Sequence, residues 1–268
     1  FVVYSIYAVG FAAAGLVPVT TVVTRWYHRR RAMAISVAST GLSFGGVAVT
    51  PAVKWFIDTS DLAAAAPWLG LLFLVGPVLP GWFMVSSDPE SVGFHPDGAP
   101  RAADAPPTEL PGTPYETARR SRFFIAVTVG YVLALGSQVG GIQQLVRLAE
   151  ERTDAATAAF ATLALALTSI VARLVGGRVF PRFALSRVVM VLAAAQMVAL
   201  VAIGLSHSVA LLFVSIILFG ATVGNILMLQ PLLIAERFGV REYPRLFSRS
   251  QLDRKSTRLN SSHSSVSR

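Results

Sequence analysis

Residues 155–177 read AATAAFATLALALTSIVARLVGG, and this stretch decides the class of fold. An α-helix needs about 20 mostly apolar residues to cross the hydrocarbon core of a bilayer, and the stretch is long enough. Its charged residue, Arg173, lies well inside the apolar run. The strict alternation of a membrane β-barrel strand is missing. The stretch therefore predicts a membrane-spanning α-helix with a guanidinium group in its interior.

Comparable apolar stretches recur along the chain and predict seven membrane spans. They lie at 1–24, 32–57, 63–85, 123–147, 155–177, 187–205 and 208–235. The composition agrees, since 54% of the 268 residues are apolar, 14% are charged and the mean hydropathy is +0.61. A soluble domain carries about 25% charged residues. We therefore predict an all-α integral membrane protein in a lipid bilayer, and not a soluble enzyme, a nucleic-acid-binding domain or a disordered chain.

Two stretches of different composition divide the chain. Residues 86–121 combine many prolines with the acidic residues Asp88, Glu90, Asp97, Asp104, Glu109 and Glu116. Such a segment cannot bury a core, so we expect a mobile aqueous linker between three spans in residues 1–85 and four spans in residues 122–249. Residues 250–268 contain seven serines and resemble a translated sequencing adapter. We expect them to be a disordered, non-native tail.

Basic residues cluster at one end of the predicted spans. This end carries Arg25, Arg29, Arg30, Arg31, Arg119, Arg120, Arg122, Arg178, Arg182, Arg187, Arg237, Arg241, Arg245 and Arg249. The other end carries Lys54, Arg147 and Arg152 beside several acidic residues. Because Lys and Arg are enriched in cytoplasmic loops, the Arg-rich loops and the linker are predicted to be cytoplasmic. We expect a multi-pass protein of the cell membrane with its N-terminal end outside and its C-terminal end inside.

Arg173 is the strongest candidate for a functional residue. No Asp or Glu lies equally deep in a predicted span, and a guanidinium in hydrocarbon is costly unless it faces a polar cavity or a partner. An anionic ligand is one such partner, because the planar fork of Arg binds both oxygens of a carboxylate. Two alternatives stay open from the sequence: the side chain extends to the lipid headgroups, or its partner belongs to spans outside this chain.

Other polar and small residues inside the predicted spans complete the candidate substrate site. Gln138 and Asn225 lie near the middle of their spans, and Ser169 precedes Arg173 by one helical turn. As a set they could line a common cavity, although buried amides more often link helices. Glycines four residues apart predict close helix packing at Gly41 and Gly45, Gly136 and Gly140, and Gly220 and Gly224. Kinks are predicted at Pro18 and Pro51.

The sequence gives no support for a cofactor, a metal site or catalysis. It contains no Cys, and His28 has no second metal ligand at a suitable spacing. Phosphate-binding loops, dinucleotide-binding motifs and the nucleophile elbow are also missing. We therefore expect no catalytic residue, no cofactor, no metal and no nucleic-acid partner, and we expect that the protein is not an enzyme.

Four motifs carry a resemblance to a known family. The first is RWYHRRRAMAISVASTGLSFGG at 25–46, in which the matching positions are Trp26, Tyr27, Arg29, Arg30, Ala32, Ala34, Ser39 and Gly41. The others are SSDPESVGFHPDG at 86–98 and SIVARLVGGRVFPRF at 169–183. Together with AERFGVREYPRLFS at 235–248, they resemble the major facilitator superfamily in its monocarboxylate-transporter-like and oxalate/formate-antiporter-like branches.

The resemblance covers about residues 1–249 and implies helices four to ten of a twelve-helix transporter. In these branches an Arg of the eighth helix binds the substrate carboxylate, and Arg173 matches it. Animal monocarboxylate transporters carry an acidic residue one turn earlier that takes part in proton coupling, whereas this chain has Ser169 there. The resemblance thus implies a secondary active transporter that moves a small organic anion by alternating access, with the coupling ion left open.

Two functions of other classes are the alternatives. Seven spans with an outside N-terminal end also fit a seven-helix receptor or a light-sensing protein. Against these, the last span has no Lys for a retinal Schiff base, there is no Cys for an extracellular disulfide, and the longest loop follows the third span. A membrane-embedded enzyme is weaker still, because the spans lack a buried cluster of His, Asp or Glu.

Overall fold

The computed structural model describes residues 5, 10, 15–98, 100 and 110–251. Its α-helices are, in chain order, α1 Leu16–Trp26, α2 Arg31–Phe44, α3 Thr50–Ser60, α4 Leu62–Met84, α5 Tyr115–Arg119, α6 Arg122–Arg152, α7 Ala155–Val179, α8 Leu185–Leu205 and α9 Val209–Phe238. A π-helix, Gly45–Val49, joins α2 to α3, and residues 243–251 are helical. No β-strand occurs among the described residues. The predicted all-α fold is confirmed.

Six helical stretches among the described residues are long and apolar enough to cross a membrane. They are Arg31–Ser60, Ala63–Phe83, Arg122–Leu145, Thr157–Arg182, Leu185–Leu205 and Val209–Phe238. They correspond to the last six of the seven predicted spans, and their ends differ by a few residues. Helix α1 covers the end of the first predicted span, and half of that span lies outside the described residues. Residues 252–268 of the expected tail lie outside them as well.

Polar side chains mark where the long helices begin. Ser121, Asp154 and Ser208 stand immediately before α6, α7 and α9, and each accepts a hydrogen bond from the backbone N–H three residues later. Such caps replace the intrahelical partners that the first N–H groups of a helix lack. Helix α9 ends at Gly239, whose φ of 77° lies in the left-handed region that favours glycine. These local signals explain why the predicted and observed ends agree closely.

Helix α9 forms the centre of the described bundle. It packs against α2, α6, α7 and α8, and most of its residues from Leu212 onward are buried. One apolar cluster joins Leu229 of α9 to Ile35 of α2 and Tyr131 of α6. Helix α4 is different, because most of its large apolar side chains are exposed, including Trp82. Three of the predicted site residues, Ser169, Arg173 and Asn225, are buried in this bundle, where α2 and α7 pack against α9.

A π-helical segment interrupts the span Arg31–Ser60 just before Pro51. Proline lacks an N–H group and its ring clashes with the carbonyl four residues earlier, so a regular α-helix does not pass straight through it. The segment Gly45–Val49 accommodates this with wider backbone turns. The helix is therefore irregular immediately before Pro51, the position at which a kink was predicted. Pro18 differs, because it lies in the first turn of α1, where proline requires no kink.

Hydrogen bonds hold the first part of the acidic linker. Both carboxylate oxygens of Asp88 accept from Arg25 Nη1, at 2.9 and 3.0 Å. The Asp97 carboxylate accepts from the backbone N–H groups of His28 and Arg29, at 3.0 to 3.3 Å. These bonds tie residues 86–98 to the turn between α1 and α2.

The last part of the linker is held in a similar way. Thr113 N donates to the carbonyl oxygen of Phe238 at 2.8 Å, and Val240 N donates to that of Pro111 at 3.0 Å. Both ends of the predicted linker therefore make hydrogen bonds to other parts of the chain, while its mobility stays a prediction. In sequence terms these segments are polar and proline-rich, but Asp88 binds the Arg25 side chain, Asp97 binds backbone N–H groups, and Pro111 and Thr113 make backbone hydrogen bonds with Val240 and Phe238.

Candidate functional site

The Arg173 side chain is buried inside the helix bundle. It is 1% exposed, and its Nε donates a hydrogen bond of 2.8 Å to the carbonyl oxygen of Gly224 on α9. Its Nη1 donates to the carbonyl oxygen of Ser39 on α2. The guanidinium thus lies where α7 meets α2 and α9. This burial disagrees with the alternative in which Arg173 extends to the lipid headgroups.

No carboxylate pairs with this guanidinium in the part of the chain that the structure describes. The salt bridges found there join other residues, and the hydrogen-bond acceptors at Arg173 are neutral backbone carbonyls. Carbonyls satisfy N–H donors but leave the positive charge uncompensated, which is costly inside a membrane protein. Within residues 15–98 and 110–251 there is also no group of three His, Asp or Glu that could hold a metal ion. The site is electrostatically suited to a small anion.

Serine residues line the contact between α2 and α7, and we call Ser36, Ser39, Ser43 and Ser169 the serine seam. Ser36 Oγ donates to the carbonyl oxygen of Arg173 at 2.5 Å. The hydroxyl groups of Ser43 and Ser169 lie 3.3 Å apart. The predicted site residue Ser169 therefore lies beside Arg173 and also contacts α2. The three serines of α2 were not selected from the sequence as site residues, although they recur at helical spacing.

Asn225 lies on α9, at the contact of α9 with α7. Its Nδ2 donates to the carbonyl oxygen of Ala221 at 2.9 Å, and its Oδ1 has no hydrogen-bond partner among the described residues. That oxygen faces Gly176 of α7, where a Cβ atom would overlap it. Asn225 thus shares the neighbourhood of Arg173. Gly176 was not predicted as a site residue from the sequence. The pair Gly176 and Gly177, one helical turn after Arg173, was the signal that could have identified it.

Gln138 lies on α6, whereas the other three predicted residues lie on α7 and α9. It is buried on α6, its Oε1 has no hydrogen-bond partner, and no hydrogen bond joins it to those three within the described ranges. Another mid-span amide, Gln196 of α8, was not selected from the sequence. Its Nε2 donates to the carbonyl oxygen of Ala134 at 2.7 Å and to Ser137 Oγ at 3.0 Å, so it links α8 to α6. The structure thus brings together Arg173, Ser169 and Asn225.

The predicted glycine pairs differ in their surroundings. Gly220 and Gly224 of α9 lie against α7, where a Cβ on Gly220 would come within 2.8 Å of the Leu165 carbonyl oxygen. A Cβ on Gly224 would overlap the carbonyl group of Ser169. No described atom lies within 4 Å of a Cβ placed on Gly41, Gly45, Gly136 or Gly140. Close packing is confirmed for the α9 pair, and it brings the backbones together beside Arg173.

Comparison with known protein families identifies the family of this chain from its sequence. The sequence profile of the Major Facilitator Superfamily matches residues 1–251, while a search of curated proteins gave no significant match. The superfamily consists of membrane transporters that are in general not enzymes, and it does not favour a receptor or a light-sensing protein. The profile covers nearly the whole chain and agrees with the multi-pass helical fold. The chain therefore belongs to the Major Facilitator Superfamily.

Proposed function

We propose that this chain is part of a secondary active transporter that moves a small organic anion, with carboxylates as its substrate class. The observation that carries the proposal is the buried guanidinium of Arg173, whose acceptors are neutral carbonyls. A buried positive charge attracts an anion, and an Arg fork can bind both carboxylate oxygens at once. The resemblance of 169–183 to an eighth helix with a carboxylate-binding Arg supports the same assignment.

The neighbouring polar groups supply further contacts to the substrate. In this proposal Arg173 binds the carboxylate, and the Ser169 hydroxyl and the Asn225 amide lie close enough to contact the rest of the anion. Gln138 and Asn225 each keep a buried side-chain oxygen with no hydrogen-bond partner in the described structure. Such an oxygen accepts a hydrogen bond from a hydroxyl group, which a substituted carboxylate would provide.

Transport in this proposal proceeds by alternating access between the two sets of spans. The Arg-rich loops and the linker face the cytoplasm, and the protein lies in the cell membrane. Ser169 carries no ionisable group, so proton coupling through that position is not part of the proposal. A coupling proton would have to bind elsewhere in the complete protein.

The test is uptake of radiolabelled formate, oxalate and lactate by cells that express the complete protein. We expect Arg173→Met to lower uptake of the transported carboxylate about tenfold or more, because loss of a buried charge partner costs a few kcal/mol of binding.

The matched control is Arg178→Met, which removes an exposed Arg from the same helix. It should insert in the membrane and transport like the wild type. Undiminished carboxylate uptake by Arg173→Met at normal membrane levels would show that the assigned role is wrong.

A further inference from the structure

A pocket of about 200 Å³ lies at the Arg-rich end of the bundle, where α5 and α6 meet the helical residues 243–251. The six residues that line it are basic, apolar or hydroxyl-bearing, and none of the six is acidic: Arg119, Phe124, Ile125, Thr128, Val129 and Arg249. Pockets that enclose drug-sized ligands measure about 300–1,000 Å³, so this one is smaller. It has room for a compact charged group.

Two guanidinium groups give this pocket a positive charge. Arg249 is exposed and makes no hydrogen bond or salt bridge with the described residues. Arg119 donates from Nε and Nη2 to the Glu116 carboxylate, at 2.7 and 2.6 Å, which leaves its Nη1 free for another acceptor. Exposed ion pairs of this kind are weak. Both Arg side chains are therefore available to an anion, and their planar forks match the oxygens of a phosphate group.

Thr128 adds a hydroxyl group without a partner to the wall of the pocket. Its side chain is buried, and its Oγ1 makes no hydrogen bond within the described ranges. Threonine in a helix often donates to a carbonyl oxygen three or four residues earlier, as Thr20 and Thr162 do in this protein. Thr128 does not, and a buried hydroxyl is costly unless a ligand or water completes its hydrogen bonds. The pocket therefore has an unused polar group beside its two cations.

An apolar stripe, formed by Ile125, Val129 and Leu133, leads from the pocket along α6 toward the middle of the membrane. The four-residue spacing places these side chains on one face of the helix, and each is more than half exposed. Ile125 and Val129 also line the pocket. From 125 to 133 the stripe extends about 12 Å along the helix axis. A phospholipid has an acyl chain to cover such a surface, whereas a soluble anion has none.

We propose that this pocket binds the headgroup of an anionic phospholipid. The phosphate lies between Arg119 and Arg249, with the Thr128 hydroxyl as a further donor, and an acyl chain lies along the apolar stripe. In the predicted orientation the pocket faces the cytoplasmic leaflet, whose anionic lipids attract basic groups. None of these residues belongs to the candidate substrate site, so the inference does not rest on the proposed function.

Binding of lipids to the purified complete protein, measured by native mass spectrometry, tests the proposal. Dioleoyl phosphatidylglycerol and dioleoyl phosphatidylcholine share their acyl chains and differ in net charge, and we expect the anionic lipid to bind more tightly. Arg249→Gln should weaken its binding about tenfold, because a hydrogen bond from a charged group has a free energy of that order. Thr128→Val should weaken it by a smaller factor. The Thr128 hydroxyl has no partner in the described structure, so a purely structural role predicts no loss.

Arg182→Gln is the matched control for the charge. Arg182 is an exposed Arg at the same end of the bundle, and it does not line the pocket. Its removal should leave the affinity for phosphatidylglycerol unchanged. The proposal requires both effects in the pocket: a loss in Arg249→Gln no larger than in Arg182→Gln, or an unchanged affinity in Thr128→Val, would overturn it.

Inorganic phosphate distinguishes a lipid from a soluble anion. Because it has no acyl chain to cover the apolar stripe, phosphate should displace phosphatidylglycerol no better than sodium chloride of the same ionic strength, which controls for screening. Displacement by phosphate beyond this control would assign the pocket to a soluble anion and overturn the lipid site.

Discussion

Gly224 shows how little space separates the backbones of α7 and α9. A Cβ atom at this position would overlap the carbonyl group of Ser169. We expect Gly224→Ala to destabilise the detergent-solubilised protein by about 1–3 kcal/mol, because overpacking a tight contact has a cost of this size. Thermal unfolding monitored by size-exclusion chromatography measures the effect.

Gly140→Ala on α6 is the matched control for this prediction. No described atom lies within 4 Å of a Cβ at Gly140. Alanine also favours a helix over glycine by about 1 kcal/mol, so this variant should melt at the wild-type temperature or above it. If Gly224→Ala melts no lower than Gly140→Ala, the two backbones are not in close contact.

The sequence identified Arg173 but could not identify what it binds. A charged residue within an apolar run is visible in any sequence, and so are Ser169 and Asn225 at matching depths. The acceptors of Arg173 are backbone carbonyls of Ser39 and Gly224, and every residue has such a group. Which carbonyls are used depends on how the helices meet, and that is a property of the packed bundle.

The Arg152 side chain of α6 binds the C-terminal end of α8, and we call this contact the clasp. Arg152, the last residue of α6, donates to the carbonyl oxygens of Ile203, Gly204 and Ser206 at 2.7 to 2.9 Å. The last carbonyls of a helix lack intrahelical partners, and they carry a partial negative charge that favours a cation. The clasp fixes the ends of two membrane-spanning helices against each other.

We expect Arg152→Ala to lower the stability of the protein by about 1.5–3 kcal/mol, because it leaves these carbonyls without their charged donor. Chemical unfolding followed by tryptophan fluorescence measures the loss.

Arg147→Ala is the control from the same helix. Arg147 is exposed, and its salt bridge is to Glu151 one turn along α6. Exposed pairs contribute about 0–1 kcal/mol, so this change should be nearly neutral. Equal losses in the two variants would contradict the role of the clasp.

The helices could be predicted better than the linker. Span length follows from bilayer thickness, so long apolar runs reveal the helices, and the caps at Ser121, Asp154 and Ser208 follow from local chemistry. The linker ends could not be read in this way. Asp88 and Asp97 bind groups near Arg25 and His28 that are distant in sequence, and only the folded chain brings them together.

For the whole molecule, the distribution of Arg residues predicts which end faces the cytoplasm. The chain has no Cys, so a single introduced thiol reports its own side of the membrane. Ser60 and Ser91 are exposed at opposite ends of the bundle. We expect a membrane-impermeant maleimide to label Ser60→Cys on intact cells, and to label Ser91→Cys only after permeabilisation. Labelling with the opposite pattern would reverse the predicted topology.

The π-helical segment Gly45–Val49 lies inside one continuous helical span, and the side chains before it and after it do not share one helix face. A π turn contains about one residue more than an α turn. Every later side chain therefore points in a different direction around the helix axis than it would in a regular α-helix. Ser36 and Ser43 before the segment point toward α7, whereas Trp55 beyond it is exposed. A helical wheel that treats the whole span as a regular α-helix would therefore place residues from two different faces on the same side. Tolerance to substitution on one side of Gly45 therefore carries no information about the other side.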